Sequence, residues 1–101
     1  MNASETITIP EVFQPDLERA VQILKDAGCT EIYLFGSLAE GRARDDSDID
    51  LAVKECPRGR YFRLWGDLQW ESKHLIELVK LDPPTPFTEF LQRSGKLVRL
   101  G

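Results

Sequence analysis

Gly36-Ser37 and Asp48-Ile49-Asp50, with ten residues between them, are the groups in this sequence best suited to chemistry. An apolar run, Ile32-Tyr33-Leu34-Phe35, precedes the first pair, and another, Leu51-Ala52-Val53, follows the second. One strand therefore delivers a Gly-Ser turn, and the next carries two carboxylates. That arrangement suits a site for a metal and a nucleoside triphosphate. A glycine directly after a strand lets the chain turn sharply and leaves room for a phosphate to approach the backbone. The N–H groups that follow, at the start of a short helix, form an anion-binding nest assisted by the helix dipole. Ser37 adds a hydroxyl donor.

On a strand, residues i and i+2 point to the same side. Asp48 and Asp50 are then neighbours about 6–7 Å apart along the backbone. Carboxylates so placed repel, which raises one pKa or demands a counter-charge. Hard oxygen donors with no histidine or cysteine beside them suit Mg²⁺ or Mn²⁺. A merely solvated acidic loop accounts for Asp45 and Asp46. It does not account for Asp50, which interrupts an apolar strand where acids are depleted. A second metal needs a third acid. Glu77 interrupts another apolar stretch, Leu75-Ile76-Glu77-Leu78-Val79, and is favoured. Asp82 is the weaker alternative, because an aspartate before Pro83 is a common turn former.

The elements that must position these groups follow from pattern. Leu17, Ala20, Val21, Leu24 and Ala27 recur at helical spacing, so residues 16–27 read as a helix opened by Pro15 and closed by Gly28. Residues 30–35 read as the first strand, 37–40 as a short helix and 48–53 as the second strand. Pro57 and Gly59 break the chain at 55–59. Residues 60–72 form a helix candidate with Tyr61, Leu64, Trp65 and Leu68 in one stripe, weakened by Gly66. The third strand spans 74–81. A short helix over 87–93 turns Phe87, Phe90 and Leu91 inward, and 96–100 closes with a short strand. Alternating helices and strands give an α/β (α+β) class with a small mixed sheet of three to five strands. Residues 1–101 form one domain, with 1–10 frayed.

Composition bounds the alternatives. The chain has 101 residues, 42% hydrophobic and 30% charged, with a net charge of −4. That is one core's worth of globular chain. The acidic balance argues against a dedicated nucleic-acid surface, though not against a metal-bridged nucleotide. No apolar run approaches the roughly 18 residues of a membrane span, and no basic-then-apolar leader is visible, so a cytoplasmic location is expected. Cys29 and Cys56, without CxxC spacing, read as free thiols. His74 has no companion ligand and reads as structural. Tyr61, Phe62, Trp65 and Trp70, beside Arg58, Arg60 and Arg63, read as core or as partner-facing anchors. Arg93, Lys96 and Arg99 read as a solvated face.

From Gly36-Ser37 through Gly41, Arg42, Arg44, Ser47, Asp48 and Asp50 to Val53, the sequence resembles the signature of the DNA polymerase β-like nucleotidyltransferases. Within them it is similar to the minimal nucleotidyltransferases, antitoxin partners of HEPN-domain toxins. The resemblance implies that Gly36, Ser37, Arg42, Arg44 and Ser47 face the nucleotide's phosphates. It implies that Asp48, Asp50 and Glu77 are catalytic and hold two Mg²⁺ (or Mn²⁺) ions, with ATP as substrate. It implies transfer of AMP to a hydroxyl, a tyrosine of the HEPN toxin being the expected acceptor, brought by the partner because no acceptor-binding domain is visible. Two departures stand out. Glu77 occupies a position where the family has aspartate, and Glu40 stands where a basic residue is expected. A module of this fold that neutralises its partner by binding alone, or a transferase acting on a small molecule, are the alternatives.

Overall fold

The computed structural model describes residues 9–57, 59, 61–70 and 72–100. The expected fraying at the N-terminus falls largely on residues 1–8, which lie outside these, as do Arg58 and Arg60. After a 3-10 turn at Glu11–Phe13, the order is α1 (Gln14–Asp26), β1 (Glu31–Phe35), α2 (Gly36–Ala39), β2 (Ile49–Lys54), α3 (Tyr61–Gln69), β3 (Ile76–Lys80), α4 (Pro86–Ser94) and β4 (Val98–Arg99). The four strands make one mixed sheet in the order β3-β2-β1-β4. β1 is antiparallel to both β2 and β4, whereas β2 and β3 run parallel. A parallel pair needs a crossover, and α3 supplies it.

The alternation of side chains along a strand divides the core in two. Ile32, Leu34, Ile49, Leu51, Val53, Ile76 and Leu78 join Leu17, Ala20 and Leu24 of α1 and Leu64 and Leu68 of α3. Phe35, Ala52, Leu81 and Leu91 form a smaller cluster with Tyr33, Val79 and Leu97. The residues of opposite parity, Asp50 and Glu77, share this second, thinly covered face. Strand β2 is apolar on the first face, through Ile49, Leu51 and Val53, and mixed on the second, where Asp50 and Lys54 flank Ala52.

Several expectations are corrected. Trp65 is 44% exposed rather than part of the inward stripe. α3 is nine residues long and presents only Leu64 and Leu68 as fully covered positions, and Trp65 lies a residue's rotation beyond that narrow stripe. Phe62 and Trp70 are exposed as well. In α4, Phe87 and Phe90 face outward, and the buried positions are Thr88 and Leu91, one helical turn apart. Thr85 and Thr88 form a reciprocal cap that fixes the helix start and hence its rotation.

Cys29 and Cys56 are joined in a disulfide and are not free thiols; their Cα atoms are 4.1 Å apart. Register explains it. Glu31 pairs with Lys54, so two residues further out position 29 lies opposite position 56. Thr30 N–H still donates to Lys54 O there, at 3.2 Å. The 27-residue separation in sequence hides an adjacency that the antiparallel ladder creates.

Candidate active site

The groups singled out in the sequence meet where β1 ends and β2 begins. Phe35 pairs with Asp50 across the antiparallel ladder, and Asp50 pairs with Glu77 across the parallel one. Gly36 has φ +76°, and a Cβ built on it would stand 2.1 Å from Asp50 Oδ2. Only glycine allows the backbone of the Gly-Ser turn to lie against that carboxylate. The turn and the acid pair are therefore one site.

Asp50 is half-buried. Burial first, then the charges of Asp48 and Glu77, push its carboxyl up from an ordinary 3.8 to about 6. Asp50 thus senses both neighbouring acids. Among the ion pairs of the described residues, none reaches Asp48, Asp50 or Glu77. Asp48 and Glu77 are exposed, at the mouth of the site. As the side chains stand, no three acidic, histidine or cysteine groups among the described residues surround a single point. The donors fit a divalent cation in kind and in charge: three hard-oxygen groups at one strand end, with their mutual repulsion unrelieved.

The other side of the site is built by α2. No side chain caps its N-terminus, so its first N–H groups are left to a ligand or solvent. Ser37 is half-buried, and its carbonyl accepts the Arg42 N–H at 2.9 Å, folding the Gly41-Arg42 turn back over α2. The Arg42 guanidinium lies 3.3 Å from Glu40 Oε1, and Lys96 Nζ reaches the same oxygen at 3.6 Å. Glu40 thus gathers two cations beside the turn. Arg44 is exposed. The Ser47 hydroxyl is already engaged, accepting the Arg44 N–H at 2.8 Å, and so shapes the loop. Asp82 is far from this constellation, five residues beyond Glu77, on the order of 15 Å along the strand direction. Its carboxylate accepts the Glu55 N–H at 3.3–3.4 Å, where Glu55 holds φ 57°. It stabilises a turn at the opposite end of the sheet.

Two residues make bonds that the sequence reading did not anticipate. Tyr61 on α3 donates its hydroxyl to Leu78 O, and burial together with the Glu77 charge raises its pKa. Asp16, read only as the first residue of the helix, is buried and bound to His74. An acid flanked by Pro15 and Leu17 gave no local sign of that. His74 is structural, as its isolation in the sequence suggested.

The family model described as Polymerase beta, Nucleotidyltransferase matches residues 18–99. The chain belongs to this nucleotidyltransferase family. The mixed sheet with helices, and a Gly-Ser turn abutting paired strand carboxylates, are what this nucleotidyltransferase domain presents. No curated protein matches the chain. Among solved structures it is similar to a protein of Sulfolobus solfataricus provisionally assigned as a nucleotidyltransferase. The two are 19% identical over 89% of this chain and 86% of that one, with a TM-score of 0.49. No helix among the described residues is long and apolar enough to cross a membrane.

Proposed function

We propose that this nucleotidyltransferase domain moves an AMP group from ATP to a hydroxyl on a protein partner, a tyrosine of a HEPN-family toxin, breaking the α–β phosphoanhydride bond and releasing pyrophosphate, and so serves as an antitoxin. The observation that carries the transferase part is the contact between Gly36 and Asp50, with Glu77 in register on the next strand. It sets the Gly-Ser turn against a cluster of acids without ion-pair partners among the described residues, which supports reading the turn as a phosphate cradle. The partner rests on the resemblance in sequence. It draws support from Phe62, Trp65 and Trp70, large aromatics exposed on or next to α3, the residue types that anchor interfaces.

Asp48, Asp50 and Glu77 would hold the divalent ions, Mg²⁺ or Mn²⁺. Such ions, two of them in the sequence expectation, would supply positive charge to the triphosphate and to the oxygens that gain charge during transfer. The chain's own groups do the rest. The backbone of residues 36–39 and the Ser37 hydroxyl bind phosphate oxygens. Arg42 and Arg44 supply cationic side chains beside the turn. Asp50, wedged beneath Gly36, fixes the distance between cradle and acids. Glu77, the exposed member of the register pair, would be one of the residues holding an ion, and its carboxylate would accept the proton of the attacking hydroxyl. Its extra methylene, compared with aspartate, suits its exposed place on β3.

Incubation with Mg²⁺, ATP labelled at the α-phosphate and a HEPN-family protein tests the reading. Label is expected on a tyrosine of that protein. A tight complex without label would show neutralisation by contact alone. Label only on an added small hydroxyl compound would overturn the protein acceptor.

A further inference from the structure

His74 is 7% exposed and Asp16 6%, and together they form a buried cluster joining three elements that are distant in sequence. Asp16, in the first turn of α1, accepts on Oδ2 the backbone N–H groups of Lys73 and His74, both at 2.9 Å. The same oxygen lies 2.8 Å from His74 Nδ1. The other ring nitrogen, Nε2, lies 2.7 Å from the carbonyl oxygen of Asp45. A carbonyl oxygen has no proton to give, so Nε2 must donate. Asp16 Oδ2 already accepts two N–H groups, so Nδ1 must donate as well. Both ring nitrogens therefore carry protons, and the imidazolium is matched by the Asp16 carboxylate. Phe13 covers the ring, its centroid 4.3 Å away. Arg19 of α1 reaches Ser72 and the Asp67 carbonyl nearby. Lys73 is exposed, its side chain outside the cluster.

Asp45 lies three residues before Asp48, and His74 three residues before Glu77. Ile49 N–H donates to Leu75 O at 2.9 Å between them. We infer that His74 is a positioning residue: a doubly protonated imidazole, seated on Asp16, that grips the backbone of the 45–48 loop and so fixes Asp48 relative to Glu77. The inference rests on the reading of those acids as the cation-binding set. It assigns the chain's sole histidine to their support rather than to proton transfer with substrate. The cluster does for the loop what the Phe35–Asp50 ladder does for Asp50, through side chains instead of strand pairing.

The test uses the full chain. Nitrogen-15 NMR of the His74 ring at neutral pH is expected to show both nitrogens protonated, with two slowly exchanging N–H signals. A ring with one protonated nitrogen would overturn the inference. His74→Phe keeps a ring against Phe13 and removes both donors. Asp16→Asn keeps an acceptor for the two backbone N–H groups and removes the charge. In both, amide exchange at residues 47–49 is expected to quicken relative to Leu34 in β1, and Mn²⁺ affinity to fall about tenfold, the scale typical of lost support behind a ligand. Uniformly faster exchange throughout the chain, or unchanged exchange at 47–49, would overturn it. A wild-type chain that takes up no Mn²⁺ refutes the transferase reading instead, and the ring signals and amide rates still decide the clamp.

Discussion

The two ends of the β1–β2 ladder are opposites. At one, Cys29 and Cys56 are covalently joined and Asp82 satisfies the Glu55 N–H. At the other, a positive-φ glycine presses against a carboxylate that two neighbouring acids already repel. The same hairpin register sets both. The first end contributes stability, and its acids are tied into the turn by hydrogen bonds: Glu55 accepts from the Thr30 hydroxyl and Asp82 from the Glu55 N–H. The second concentrates like charge and backbone constraint, which cost stability and are retained where function needs them. The contrast says that the sheet's stapled end and its covered α1/α3 face can carry an acidic end that would not hold together alone.

Perturbing each end separately tests this. The largest effect belongs to the acidic end. Asp48→Asn with Asp50→Asn should lower Mg²⁺-dependent transfer by on the order of 10³-fold or more, read by label incorporation, while the fold persists by circular dichroism. Activity equal to wild type would separate these acids from the chemistry. Next comes the stapled end. Reducing the disulfide, or Cys29→Ala with Cys56→Ala, should cost about 3–4 kcal/mol by the loop-entropy relation. Denaturant titration with and without reductant measures it. Mn²⁺ affinity of the folded fraction should stay unchanged, because the staple lies at the far end. Gly36→Ala should cost about 1–3 kcal/mol, from positive φ and from the clash with Asp50 Oδ2, and weaken both cation and nucleotide binding; calorimetry separates the two losses.

The smallest effect concerns pH. Asp50 has a raised pKa in the fold, so the cation-free fold prefers its protonated form. That contribution is fully present below about 4 and is lost as pH rises through about 6. Asp50→Asn mimics the neutral acid. In chelator at pH 7–8 it should melt higher than wild type, on the order of 3 °C, and the gap should close toward pH 4. Added Mn²⁺ should reverse the ranking at pH 7–8.

Much of this was legible in the sequence because it is local. Leu17, Ala20 and Leu24 announce α1 by period, and Asp50 and Glu77 announce themselves by interrupting apolar strands. Gly36-Ser37 marks the turn. What was hidden depends on pairing across the chain. Cys29 meets Cys56 only through strand register, and Asp16 meets His74 across 58 residues. Asp82 had been weighed against Glu77, and only the direction of β3 separates them. The outward rotation of Phe87 and Phe90 follows from the Thr85–Thr88 cap, which fixes the helix phase; the apolar residue types alone suggested burial.

The crossover through α3 has a consequence for biosynthesis. A nascent polypeptide released from the ribosomal tunnel only through residue 69 carries the β1–β2 hairpin with Asp48 and Asp50, but neither Glu77 nor His74. Its acids stand together with neither the third carboxylate nor the imidazolium in place. On the proposed reading of these acids, ion capture begins only when β3 docks beside β2, and so reports that the crossover has closed.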